Sequence, residues 1–313
     1  MASSQTLLAP RDIDPNPDNP RLIFHEAELQ ALEDSIKLQG VLVPLSVFEK
    51  GRRHVLLDGE RRWRCALKLG LPRIPVVVQA EPDRLQNIMM MFAIHNARKD
   101  WDPLPTAYKL QELEHEYAQR QGRKPSEKEL AQIASISRGE VRRLRQLLAL
   151  PDEYHNELMA QLELPRSQQS LTVDHVLEAS KGAAALRSRE IINRDEEEQL
   201  RRALVDKFKD RTETNTVEPR QLMRIGRAVD REQVSAATAR KVTRRLITEP
   251  RFTIKRAFES TVEGIDYQHG SQQLVSRLLT RLHAQLERSF EVDDEFRNML
   301  EELQHVIAKV LKR

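Results

Sequence analysis

"LLDGERRWRCALKLG", residues 56–70, decides how the first third of this 313-residue chain is read. An apolar run ends at Asp58 and a glycine follows. Glu60, Arg61, Arg62 and Arg64 then crowd the start of a helix that stops at Gly70. The first turn of a helix carries unpaired backbone N–H groups and partial positive charge. Arginines placed there add to that field, an arrangement that an anion relieves. Gly59 lets the backbone approach closely, and guanidinium groups bind phosphate oxygens in pairs. The spacing predicts a phosphate cradle at a strand–glycine–helix junction. The same residues also allow a solvated helix start, with the arginines paired to Asp58 and Glu60. No Walker-type loop or Rossmann fingerprint competes for a nucleotide.

Working outward, "VLVPLSVF" (41–48) and "RHVLL" (53–57) flank "EKGR", the pattern of a hairpin. "HEAELQALEDSIKLQG" (25–40) places Leu29, Leu32 and Ile36 at helical spacing with Gly40 as the stop. "IPVVVQ" (74–79) supplies a third strand, so the 60–69 helix crosses over between strands two and three. Residues 10–24, "PRDIDPNPDNPRLIF", hold four prolines and read as extended, irregular chain. From "DRLQNIMMMF" (83–92) onward nearly everything reads as helix. The expected fold class is α+β and mostly helical: a small mixed α/β N-terminal domain, a helix-turn-helix domain and a helical C-terminal region. Composition agrees, with 32% charged residues, 4% aromatic residues and ten glycines favouring long helices over hairpin-rich sheet. The net charge of +3 is too small to name a partner, which leaves local clusters to do so.

The second motif is "SEKELAQIASISRGEVRRLRQLLAL", residues 126–150. Leu130, Ile133 and Ala134 line one short helix; Val141, Leu144, Leu147 and Leu148 line a second; "SIS" connects them. Ser137 is placed to cap the second helix, whose outer face carries Arg138, Arg142, Arg143 and Arg145 against Glu140. In a DNA-binding unit of this kind the N-terminal side chains of the second helix read base edges and later cations hold phosphates. Ser137, Arg138, Gly139 and Glu140 are the candidate base readers; Arg142, Arg143 and Arg145 are the candidate backbone contacts. A helical hairpin within an α-bundle is the plain alternative, against which the basic face argues.

A single cysteine, Cys65, excludes an internal disulfide and a cysteine-based zinc site, and its apolar position reads as core packing. Residues 1–9 lack the features of a signal peptide and no run approaches a membrane span, so a cytoplasmic protein with no membrane partner is expected. The polar stretch "KDRTETNTVEP" (209–219) separates a middle helical region from the C-terminal third. There Leu274, Leu278, Leu282 and Leu286 form one apolar stripe, and Met299, Leu300, Leu303, Ile307 and Leu311 another, on two helices joined near Val292. Residues 240–258 carry seven cations against one acid, a second nucleic-acid face or a solvated helix.

Taken in order, "DPNPDNPR", "LEDSIKLQGVLVPLSVF", "LLDGERRWRCALKLGLPRIPVVV", "DPLPTAYKLQEL" and the helix-turn-helix resemble the ParB family of partition proteins over roughly residues 10–180. The resemblance implies a ParB/sulfiredoxin-type domain over 1–100 that binds CTP with Mg2+. It also implies a helix-turn-helix domain over 101–210 recognising a palindromic site in double-stranded DNA, and a homodimerising region over 211–313. Nucleotide binding at the DNA site would close a clamp, and a ParA-type ATPase would be a partner. Gly59, Glu60, Arg61 and Arg62 match the phosphate-contacting motif, with Arg64 beside them, and Gly40 and Pro44 match the loop around the base. The family's Glu-Asn-x-x-Arg motif falls on Ile94, His95, Asn96, Ala97 and Arg98. Arg98 is retained, His95 enters the nucleotide set, and a one-residue slip offers Asn96 as the metal-side amide. The hydrolytic acid is replaced, which leaves CTPase activity undecided. A nucleotide-insensitive transcriptional regulator and a ParB-like nuclease are the competing readings. The nuclease is disfavoured because only Asp58, Glu60 and Asp100 stand near the cradle.

Overall fold

The computed structural model describes residues 5–96, 102–288 and 293–311. It is helical apart from one five-stranded sheet. The strands are β1 (Gln5–Leu8), β2 (Ile13–Asp14), β3 (Leu45–Lys50), β4 (Arg53–Asp58) and β5 (Ile74–Gln79), in the order β1-β5-β3-β4-β2. β3 and β4 form the expected hairpin, closed between Lys50 and Arg53 around Gly51 at φ +64°. β5 returns parallel to β3, with Leu45 opposite Val76, so α2 (Glu60–Lys68) is the expected crossover helix. α1 (Glu26–Gln39) ends at Gly40, whose φ of +74° suits a residue without a Cβ.

Two strands escape the pattern reading. β1 pairs antiparallel with β5, from Gln5 opposite Val77 to Leu8 opposite Ile74. β2, two residues long, pairs parallel with β4 inside the proline-rich stretch expected to be irregular. Both sheet faces are covered, and alternate side chains sort between them. Leu45, Val47, Leu56 and Val76 pack with Ala66 of α2, while Phe48, Val55 and Leu57 pack with Met91 of α3 (Arg84–Asn96). Cys65 is buried, its Sγ 3.7 Å from the Leu29 carbonyl oxygen, and burial raises its pKa, as a packing residue requires.

The helical part runs through α4 (Pro103–Gln121), α5 (Glu127–Ile133), α6 (Arg138–Leu148), α7 (Asp152–Glu163), α8 (Val173–Arg187) and α9 (Arg194–Lys209). It continues with α10 (Arg220–Asp230), α11 (Ala236–Thr248) and α12 (Ile254–Glu259). One buried cluster extends from Ile88 to Val262, and α8 and α9 pack against α10 and α11 on the far side of the 209–219 stretch. Inside that stretch Glu213 is only 2% exposed and accepts a 2.6 Å hydrogen bond from the Ile254 N–H. The polar segment thus carries a buried acid that anchors the start of α12.

α5 begins at Ser126 with a capping box shared with Glu129, and α6 begins at Ser137, whose hydroxyl accepts from the Glu140 N–H at 3.0 Å. The turn between them carries a left-handed serine. Ser135, at a position where glycine is common in such turns, would stand there at modest cost with a negative φ; its φ is +53°. The tight reversal from Ala134 into α6 needs a left-handed residue, and serine adopts that conformation at a cost of order 1 kcal/mol. At the C-terminal end α13 (Glu263–Arg288) and α14 (Asp294–Leu311) form the two expected amphipathic helices, while Val292 lies outside the described residues. Their apolar stripes stay largely uncovered, Leu286 being 77% and Leu311 81% exposed.

Candidate nucleotide cradle and nucleic-acid interface

The C-terminal end of β4 meets the N-terminal end of β3, with Asp58 opposite Ser46, and there the chain turns through Gly59 into α2. Gly59 has φ +100°, and a Cβ on it would lie 2.8 Å from Leu45 Cγ and 3.0 Å from Arg62 Nη2. Only glycine fits. Gly59 brings no capping side chain to α2, and the helix start borders a cavity of about 410 Å3 lined by Asn19, Val43, Gly59, Glu60, Arg61 and Arg62 among others. Arg62 donates to the carbonyl oxygens of Val43 and Pro44, the latter at 2.9 Å, and pairs with Asp58 at 3.2 Å. Arg61 donates from Nη2 to the Glu28 carbonyl oxygen at 2.9 Å, whereas its Nε is buried without an acceptor. A buried, unmatched guanidinium donor costs free energy.

Glu60 does not weaken this positive site as its charge alone would suggest. Its Oε1 accepts from Arg64 at 3.0 and 2.6 Å, and its Oε2 accepts from Asn19 Nδ2 at 2.5 Å. Arg64 also lies 4.1 Å over the Phe24 ring. Behind Asn19 runs a buried amide network. Asn16 and Asn87 exchange side-chain hydrogen bonds of 2.9 and 3.0 Å, and Asn87 donates to Asp18 at 2.7 Å. Lys109 of α4 reaches Asp18 at 3.3 Å. The loop behind the cradle is therefore tied to both α3 and α4, in an interior where polar groups persist only when paired.

The structure brings Gly59, Glu60, Arg61 and Arg62 together around the cavity. Pro44 touches the site through its carbonyl; Gly40, Pro44 and Arg64 do not line the cavity itself. His95 and Asn96 sit in the last turn of α3, their side chains outside the described residues, as is Arg98. Sequence reasoning missed Asn16, Asn19, Arg21 and Phe24, which line the cavity from the 10–24 stretch; the "NPDNPR" run carried the signal. Among the described residues no group of three His, Cys, Asp or Glu side chains is placed to hold a metal ion. Asp58 and Glu60, the nearest carboxylates, are committed to Arg62 and Arg64. The described side chains thus offer no metal cage.

On α6, Val141, Leu144 and Leu147 are buried, which leaves the arginines on the outer side. They are not the bare cations the spacing suggests. Arg138 and Arg142 both bind Glu127 of α5, Arg143 binds Glu140 and Asp174, and Arg145 binds Glu114 of α4. Three of those acids lie outside the quoted helix or in its partner, where a reading of one helix face does not find them. No helix among the described residues is long and apolar enough to cross a membrane.

These features define a class: a small α/β domain with an arginine-lined cradle, followed by a helical domain that presents a basic second helix after a tight turn. Residues 2–95 match the family model of the ParB N-terminal domain. The chain is similar to the probable chromosome-partitioning protein ParB of Helicobacter pylori, 33% identical over 149 residues that cover 47% of this chain and 49% of the relative. With that of Xylella fastidiosa it shares 35% identity over 170 residues, 53% of this chain and 52% of the relative. It thus spans about half the length of the curated relatives it matches. Among solved structures it resembles the C-terminally truncated ParB from Caulobacter crescentus complexed with CTP-γ-S. That match has 27% identity and a TM-score of 0.29, and covers 59% of this chain and 98% of the other.

Proposed function

We propose that this protein is a ParB-like, site-specific DNA-binding protein of a partition system whose α/β domain binds CTP and thereby governs how the dimer holds DNA. The observation that carries the reading is a cavity lined by Arg61 and Arg62 at a helix start behind a glycine that nothing else can replace. Arg61 and Arg62 would take phosphate oxygens, and the α2 N–H groups would add donors of fixed direction. Glu60, held by Arg64 and Asn19, orients the helix start. Gly40 and Pro44 would frame the loop beside the base, and the resemblance adds His95 and Arg98 to the nucleotide set. The choice of CTP follows the resemblance of the cradle motif. Mg2+ would be carried chiefly by the phosphates with Asn96 as an amide ligand, supplying charge neutralisation; every contact described above is made by the chain itself.

Ser137, Arg138, Gly139 and Glu140 would face base edges, and Arg143 and Arg145 the DNA backbone. The uncovered stripes of α13 and α14 fit a homodimer contact, since apolar stripes of that length are normally covered. A ParA-type ATPase partner follows from the resemblance alone. Ile94 and His95 favour a second reading, a regulator insensitive to nucleotide, and CTP hydrolysis is not part of the proposal. The test is Arg61→Ala. Its affinity for CTP is expected to fall at least about tenfold, as loss of a charge-assisted bidentate contact implies. Circular dichroism should show the fold retained. Equal affinity in the two proteins would assign the cradle to structure instead of to phosphate.

A further inference from the structure

Glu127 opens α5, and its carboxylate reaches across the turn to α6. Oε1 accepts from Arg138 Nε at 2.8 Å and from Arg142 Nη2 at 2.9 Å, and Oε2 accepts from Arg142 Nε at 2.9 Å. Arg138 and Arg142 are one helical turn apart on the same face, so one acid holds two arginines. Glu114, by contrast, binds Arg145 alone among the α6 arginines. The two guanidinium groups hold the Glu127 carboxyl well below the usual carboxylate range, at about 2, with Arg142 the larger influence. The pair stays accessible: the Arg138 and Arg142 side chains are 59% and 58% exposed.

We propose that Glu127 is a specificity-determining residue: it offsets half of the combined charge of Arg138 and Arg142 while fixing their orientation, so that they serve as directed donors to base edges more than as phosphate clamps. The physical basis is an asymmetry between the two targets. Attraction to phosphate is a net-charge effect, and the shared carboxylate halves the charge the pair presents. A hydrogen bond to a neutral base edge depends on a donor pointing the right way, which the carboxylate preserves and steadies. An internal anion therefore weakens binding to DNA at large more than binding to the correct site, and specificity is that difference. Arg142 thereby joins Arg138 in reading bases and leaves the backbone contacts expected of it from spacing.

The inference rests on the DNA-binding reading, and one experiment separates the two. The full chain, Glu127→Gln and Glu114→Gln are titrated onto a labelled random-sequence duplex of about 20 base pairs between about 50 and 200 mM salt. Glutamine keeps the shape of the helix start, and thermal unfolding checks that each variant folds. Glu127→Gln is expected to bind the random duplex roughly tenfold more tightly at the lowest salt. Its plot of log affinity against log salt should steepen by about 2, one unit for each arginine released. Glu114→Gln, which frees one arginine, should steepen it by no more than about 1. Equal steepening in both variants would reduce the effect to general charge and overturn the inference, as would an unchanged or weaker Glu127→Gln. Absence of binding by all three proteins would overturn the DNA-binding reading and this inference with it.

Discussion

Gly59→Ala destabilises the α/β domain by about 2–4 kcal/mol and removes measurable nucleotide binding. Two costs combine. A backbone at φ +100° is unfavourable for any residue with a Cβ. The added methyl would also stand 2.8 Å from Leu45 Cγ, and Leu45 is fully buried in the sheet core with no space into which it can retreat. Relief has to come from a shift of β3 or from displacement of Arg62, which lies 3.0 Å away and is tied to the Val43 and Pro44 carbonyls. Either shift spoils the cradle. Denaturant titration checks the first effect as a lower midpoint at unchanged slope, and calorimetry checks the second. A variant with the wild-type midpoint would show that the junction relaxes freely and that glycine is not required there.

Glu213→Gln flattens the pH dependence of stability between about pH 5 and 8.5. Burial pushes the Glu213 carboxyl up to about 8, helped by a hydrogen bond with the Glu218 carboxyl and opposed by the Ile254 N–H and by Lys207. Lys207 is itself buried, donates to the Glu249 and Pro250 carbonyl oxygens at 2.7 and 2.8 Å, and has its pKa lowered by burial. A carboxyl whose pKa is raised on folding binds more protons in the folded state than in the unfolded one. Stability is therefore greatest below the unfolded value of 4.5 and is lost as pH rises through about 8. Glutamine reproduces the protonated acid: it still accepts from Ile254 and can donate to Glu218. Wild-type Tm should fall across this range, while the variant should match it near pH 5 and exceed it by roughly 5 °C or more near pH 8.5. Parallel curves would mean that Glu213 is ionised in the folded protein throughout.

The elements legible in the sequence are those governed by local pattern. The hairpin around Gly51, the crossover helix starting at Glu60 and the pair α5–α6 follow from alternation, helical spacing and capping residues next to each other in the chain. The features that escaped depend on distant partners. β1 and β2 exist because β5 and β4 offer open edges, and four or two residues give no periodicity to read. Glu213 sits in a stretch whose composition suggests solvent, and only the approach of α12 buries it. The arginine content of both candidate sites was plain, but its electrostatic state was not. Whether a guanidinium is free depends on Glu127 or Glu114 arriving from another helix, and Arg61 shows its unmatched Nε only once Glu28 has taken Nη2.

The central claim is that the cradle behind Gly59 holds the phosphates of a cytidine nucleotide. Isothermal titration of the full chain with CTP, ATP, GTP and UTP, each with Mg2+, tests it most directly. Saturable binding of CTP with clear preference over the other three is expected. Failure to bind any of them, alone and in the presence of duplex DNA, would contradict it and leave a DNA-binding protein indifferent to nucleotide.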